Sequence, residues 1–208
     1  PGLRPDVPEL LSAQAKGSMI TSEMEAFFQV CPCHTIGVTG SDGKTTTTTI
    51  IASLLKAAGY HTFVGGNIGR PLLADADGME PDDWAVLELS SFQLMTMDLS
   101  PEIAVVTNLA PNHLDVHTSM EEYTAAKKNI CLHQGTADRA VFNYDNEITR
   151  EFLEETPGRA VSFSLRQELS QGVYGKDGAI WVANDQGRRS VLPLDGILLP
   201  GEHNVENY

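Results

Sequence analysis

The sequence predicts an α/β fold: a mostly parallel, doubly wound sheet flanked by helices, with a small antiparallel β appendage near the C-terminus. Three observations predict it. Between residues 35 and 163, β-branched apolar runs alternate with helical patterns. The first run enters Gly40-Ser41-Asp42-Gly43-Lys44-Thr45, a Gly-rich turn that hands over to a helix pattern. From Gly172 onward the runs are short and punctuated by Asp177-Gly178 and Gln186-Gly187, as in a hairpin or meander.

In chain order, residues 1–30 read as a connector with one or two short helices, stiffened by Pro5 and Pro8 and broken at Gly17-Ser18. Thr21-Ser22-Glu23-Met24-Glu25 has the residues of a helix cap and an acidic first turn. Residues 35–39 are the first strand. The next helix covers about 44–58 and stops at Gly59 as a C-cap. Its start, Thr45 to Thr49, is β-branched and a poor helix former, but Ile50, Ile51, Leu54 and Leu55 keep a helical apolar stripe. Further strands are expected at 60–64, 84–89, 103–107, 140–143 and 160–163, with helices over 119–132 and 146–155. Ser119 caps the first of these, and Glu121 and Glu122 fill its first turn. The appendage comprises 173–175, 179–183 and 190–194.

A strand, a glycine turn and a helix N-terminus in that order make a phosphate-cradling P-loop, with inward backbone N–H groups and a positive dipole end. Lys44 would reach β- and γ-phosphates, and the Thr45 hydroxyl would complete a Mg²⁺ shell. The common form of the motif has Gly where Val38 stands, so a shorter core is present; the bland alternative is an ordinary loop. Glu88 ends a buried strand pattern, the place of a Mg²⁺-binding acid in phosphoryl-transfer proteins, or else of a surface carboxylate. The upstream loop favours the metal role. Gly65-Gly66-Asn67-Ile68-Gly69 is either a turn or a backbone approach to ligand, with Asn67 offering donor and acceptor. His113, Asp115 and His117 either ligate a metal or form a solvated turn. Lys127-Lys128, late in a helix, complement its dipole unless the site recruits them.

The formal net charge of −14 argues against nucleic acid or an anionic membrane as main partner, although a local positive site remains compatible with it. Apolar residues at 41% and charged residues at 20% describe a globular chain, and no apolar run reaches the length of a membrane span. Three cysteines suit free thiols in a reducing cytoplasm. Cys31-Pro32-Cys33-His34 lacks a second ligand pair at zinc-site spacing, so two ordinary thiols are the better account. A start at Pro1-Gly2 without Met, and an end that stops at Tyr208, suggest a fragment.

Six strings in order resemble the ATP-dependent Mur ligases of peptidoglycan synthesis: Thr39 to Thr45, Gly65 to Gly69, Glu88-Leu89-Ser90-Ser91-Phe92-Gln93-Leu94, Asn108 to Asp115, Tyr123 to Lys127, and Gly201-Glu202-His203-Asn204-Val205-Glu206-Asn207. The second and third look like the D-glutamate-adding branch. The resemblance implies that 1–33 is the tail of an N-terminal UDP-binding domain with its linker, that 34–208 is the central ATP-binding domain, and that a C-terminal domain is absent. It implies ATP and Mg²⁺ as cofactors, UDP-N-acetylmuramoyl-L-alanine and D-glutamate as substrates joined through an acyl phosphate, and a cytoplasmic monomer. Gly40, Ser41, Asp42, Gly43, Lys44, Thr45 and Thr46 would hold the nucleotide phosphates, and Asn204 and Asn207 the adenine and ribose. Thr45, Glu88, His113 and Lys127 would serve the metals, the lysine as a carbamate; Lys44, Glu88, His113 and Lys127 would be catalytic. Asn67 and Ser90 would touch the muramoyl-alanine substrate. Asp42 departs from the Asn more usual in the family and should disfavour ATP slightly unless it points outward. A folate-directed relative and a nucleotide-binding module without ligase chemistry are the alternatives.

Overall fold

In the computed structural model, which describes residues 4–111 and 117–208, the helical connector is two helices, α1 (Pro8–Ala15) and α2 (Glu23–Val30). Ser22 caps α2 by accepting from the Glu25 N–H, and Met24 and Phe27 enter the main core. The alternating region follows as β1 (His34–Thr39), α3 (Lys44–Ala57), β2 (Thr62–Gly66), β3 (Trp84–Glu88), α4 (Ser91–Leu94), β4 (Ile103–Val106), α5 (Met120–Leu132), β5 (Arg139–Asn143), α6 (Glu147–Glu155) and β6 (Arg159–Ser164). The C-terminal part comprises β7 (Gly172–Lys176), β8 (Ala179–Asn184), β9 (Gly187–Pro193) and α7 (Glu202–Asn207), and 3-10 turns occupy Leu73–Gly78 and Leu194–Gly196.

All nine strands join one sheet in the order β2-β3-β1-β4-β5-β6-β7-β8-β9. The first seven are parallel neighbours, with Ile36 opposite Val86 and Ile103, and Phe163 opposite Val173. Among the described residues only the β7–β8 and β8–β9 pairings are antiparallel, so the appendage is the outer end of the same sheet and not a separate hairpin. Alternation divides each central strand between two cores, as a buried parallel sheet requires. Ala85, Leu87, Ala104, Val106, Ala140 and Phe142 pack with Tyr123 and Ile130 of α5 and Phe152 of α6. Ile36, Val38, Val86 and Val105 face the other way, onto Ala52, Ile51 and Leu55 of α3. Helices on both faces make the sheet doubly wound.

The differences from the sequence reading are local. Gly59 (φ +93°) is not the cap itself but the left-handed residue after the cap Ala58. The Gly59 N–H donates to Lys56 and the Tyr60 N–H to Leu55, a Schellman ending, so β2 begins at Thr62 and not at residue 60. Helices α4 and α7, of four and six residues, were unpredicted because neither is long enough to display an apolar stripe. The threonine run is helical, and Thr49 and Ser53 return their hydroxyls to the carbonyls of Thr45 and Thr49 at 2.7 and 2.8 Å.

Candidate functional site

From β1 the chain leaves along α3 on one face toward β2, and from β4 it leaves along α5 on the other face toward β5. The connections therefore part at the carboxyl ends of β1 and β4, the crevice where open α/β sheets bind ligands. The loops after β1, β3 and β4 all end there.

The turn after β1 is tied down by the loop after β4. The Ser41 N–H donates to Asn108 O at 2.8 Å and the Asp42 N–H to Asn108 Oδ1 at 3.0 Å, while Thr107 Oγ1 donates to Asp42 O at 2.6 Å. Ser41 Oγ lies 3.0 Å from the Tyr123 hydroxyl and accepts from the Ala110 N–H at 2.9 Å. Gly43 is left-handed (φ +80°) as the N-cap of α3, and a Cβ there would strike Asn207 Oδ1. Lys44, Thr45 and Thr46 are then the first helical residues, whose amide hydrogens have no partner within α3. Asp42 is exposed.

Lys44 Nζ folds back onto the carbonyls of Gly40 and Ser41 at 2.9 and 2.8 Å. Burial lowers its pKa, against the opposing pull of Glu88 and Asp42. Glu88, only 2% exposed, accepts Thr45 Oγ1 on one oxygen at 2.6 Å and Asn67 Nδ2 on the other at 2.8 Å. The Asn67 N–H also donates to Glu88 O at 2.7 Å. One carboxylate thus joins the phosphate loop to the Gly-Gly-Asn loop.

Lys127, also 2% exposed, reaches from α5 to Thr39 Oγ1 at 3.0 Å and Gly40 O at 2.8 Å. Burial is the main force lowering its pKa to about 7; the Lys44 cation adds to the shift and Glu88 opposes it. Its neighbour Lys128 instead pairs with Glu155 at 2.7 Å, the dipole-end and surface role.

The remaining candidates fall at the margins. Asn207 is buried and accepts Thr47 Oγ1 at 3.3 Å, so α7 rests against the first turn of α3; Asn204 accepts Asn207 Nδ2 at 3.2 Å. The Ser90 hydroxyl forms a capping box with Gln93 at the start of α4. His113 and Asp115 lie outside the described residues. His117, from the same cluster, is buried, with Nε2 2.8 Å from Ser91 Oγ and its ring edge-on to Tyr123. Tyr123, Thr39 and Asn108 were overlooked as site residues. Tyr123 and Lys127 stand one helical turn apart, a spacing that could have flagged the tyrosine.

Thr45 and Glu88 present hard oxygens side by side, the donor set Mg²⁺ prefers. Among the described residues no three His, Cys, Asp or Glu side chains converge on a metal position. Mg²⁺ needs no such cage, because it keeps most of its waters. The residues therefore fit a Mg²⁺–nucleotide.

A parallel sheet whose first strand feeds a glycine loop and a helix N-terminus, beside a hydroxyl–carboxylate pair, defines a P-loop α/β domain. Residues 38–208 match the Mur ligase middle domain, and the chain belongs to the Mur ligase family. It is 52% identical over 208 residues to the UDP-N-acetylmuramoylalanine–D-glutamate ligase of Acetivibrio thermocellus, covering 100% of this chain and 45% of that protein. To the enzyme of the same name from Ruminiclostridium cellulolyticum it is 50% identical, with the same coverage. The chain therefore spans less than half the length of these curated relatives. A solved UDP-N-acetylmuramoyl-L-alanyl-D-glutamate–2,6-diaminopimelate ligase shares the fold with TM-score 0.66 at 25% identity, over 85% of this chain and 41% of that one. An Acinetobacter baumannii UDP-N-acetylmuramoylalanyl-D-glutamyl-2,6-diaminopimelate–D-alanyl-D-alanyl ligase does so with TM-score 0.65 at 21% identity, over 88% and 43%.

Proposed function

We propose that this chain is the central ATP-binding domain of a longer ligase of peptidoglycan synthesis, one that joins D-glutamate to UDP-N-acetylmuramoyl-L-alanine through an acyl phosphate. In this reading residues 1–33 are the tail and linker of an N-terminal UDP-binding domain, and residues 34–208 are the ATPase. The protein acts as a cytoplasmic monomer. The observation that carries the proposal is Glu88, held by Thr45 of the phosphate loop on one oxygen and by Asn67 on the other. That carboxylate links the loop assigned to the nucleotide with the loop assigned to the acyl donor, which supports a phosphoryl transfer between the two. The names of the relatives at 50–52% identity supply the substrates.

Lys44 leaves its loop carbonyls to offset the charge on the transferred phosphoryl group, and the α3 amides cradle the phosphates. Thr45 and Glu88 would hold Mg²⁺, which adds positive charge where the transition state needs it. We assign His113 and Lys127 to a second ion nearer the acyl group, and Asn67 and Ser90 to the substrate. Asn204 and Asn207 are assigned to the adenine and ribose. With a pKa of about 7, Lys127 presents a sizeable fraction of neutral amine near neutral pH. That amine attacks the carbon of CO₂, an N–C bond forms and a proton leaves. The resulting carbamate is an anion suited to a metal shell.

Turnover of UDP-N-acetylmuramoyl-L-alanine, D-glutamate and ATP by the longer protein tests the reading; failure to release phosphate and form the amide would refute it. Replacing Glu88 by Ala there should weaken Mg²⁺-dependent ATP turnover, and unchanged turnover would remove its metal role. The 208-residue chain alone should bind ATP more tightly with Mg²⁺ than without it, by calorimetric titration, and complete no ligation.

A further inference from the structure

We propose that Cys31, Cys33 and Met79 form a three-sulfur site for a soft monovalent cation, Cu(I), at the amino-terminal ends of the central strands β1 and β3, opposite the nucleotide crevice. Cys31 ends α2, Cys33 leads into β1, and Met79 ends the 3-10 turn before β3. Three backbone stops thus bring three sulfurs together. Cys31 Sγ lies 3.4 Å from Cys33 Sγ, and Cys33 Sγ lies 3.8 Å from Met79 Sδ. With metal–sulfur bonds of about 2.3 Å, a trigonal centre holds its sulfurs about 4 Å apart, close to the two separations that meet at Cys33 Sγ.

The donor chemistry selects which ion. Two thiolates and a thioether suit Cu(I), whereas Zn²⁺ wants a fourth ligand and usually a nitrogen. The adjacent imidazole is committed elsewhere: His34 Nδ1 lies 2.6 Å from Glu102 Oε2, and its ring stacks on Trp84 at 4.7 Å. Met79 is buried in the main core and both cysteines pack against that core, a water-poor setting that favours a soft ion of low charge. Burial and the bond to Cys31 push the Cys33 thiol up to about 12, so Cys33 is protonated when the site is empty. On binding, two S–H bonds break, two Cu–S(thiolate) bonds and one Cu–S(thioether) bond form, and two protons pass to solvent. No electron is transferred, and affinity rises with pH. Occupied, the site would pin the end of α2 to the start of β1.

The test supplies Cu(I) as its acetonitrile complex to the reduced chain under anaerobic conditions, in competition with bathocuproine disulfonate. One Cu(I) per chain is expected, with three sulfur scatterers in X-ray absorption. Met79→Leu, which conserves volume, should keep the thermal melt, lose one scatterer and weaken binding by about tenfold. Cys33→Ser should abolish retention, and Cys131→Ser, in α5, should leave it unchanged. No retention against the chelator, unaltered binding by Met79→Leu, loss in Cys131→Ser, or displacement by equimolar Zn²⁺ would each overturn the proposal.

Discussion

Lys127 and Asp42 bring an amine and a carboxylate to the same loop, and each has a measurable consequence. Lys127 has its pKa lowered from 10.5 to about 7 chiefly by burial. Between those values the unfolded chain binds the proton and the folded chain does not. Stability therefore rises with pH across that window and is flat below it, where both states are protonated. In CO₂-free buffer, urea midpoints of the wild-type chain measured against Lys127→Met should rise from about pH 7 to about pH 10; a constant difference would contradict the buried neutral amine. Asp42 is exposed, and its backbone, not its carboxylate, carries the bonds to Thr107 and Asn108. Asp42→Asn should therefore keep the loop and tighten ATP binding only slightly, by about twofold or less, in the same titration. Lys44, Thr45 and Glu88 were legible in the sequence because their spacing follows from phosphate chemistry. Thr107 and Asn108 were not, since they act through the backbone of a loop more than sixty residues away.

At the scale of elements, α3 runs against its own propensities. Five threonines open it, and tertiary contact decides the outcome: Thr47 and Thr48 are buried and Thr47 meets Asn207. The Thr48 hydroxyl is buried with no hydrogen-bond partner. Thr48→Val keeps the shape and removes the unsatisfied group, so it should stabilise the chain by about 1 kcal/mol in thermal or urea melts, with ATP affinity unchanged. The strands were legible because a parallel sheet buried on both faces writes continuous β-branched runs. Helix α4 was less so, although Ser90 and Gln93 spell its capping box. The end of α3 was readable to within a residue, since Gly59 marks the left-handed step and only the pairing of Tyr60 with Leu55 delays β2.

For the molecule as a whole, the order of the sheet concentrates the chemistry. Placing β1 between β3 and β4 brings the ends of three strands together, so the phosphate loop meets Glu88 through Thr45 and Asn108 through Asp42 although the sequence spreads them widely. The sheet type was readable from alternation, but strand order was not, because helical crossovers of similar length serve several orders. A chain of net charge −14 still holds the Lys44 cation at the phosphate loop with the Lys127 amine beside it, so the positive field is local. Among the described residues no helix is long and apolar enough to cross a membrane. That two-lysine loop is the centre of the account. The most direct test is D-glutamate ligation by the longer protein carrying Lys127→Ala, assayed with and without short-chain carboxylic acids. Loss of ligation with partial return on adding the acid is the result predicted; wild-type ligation without any acid would contradict it.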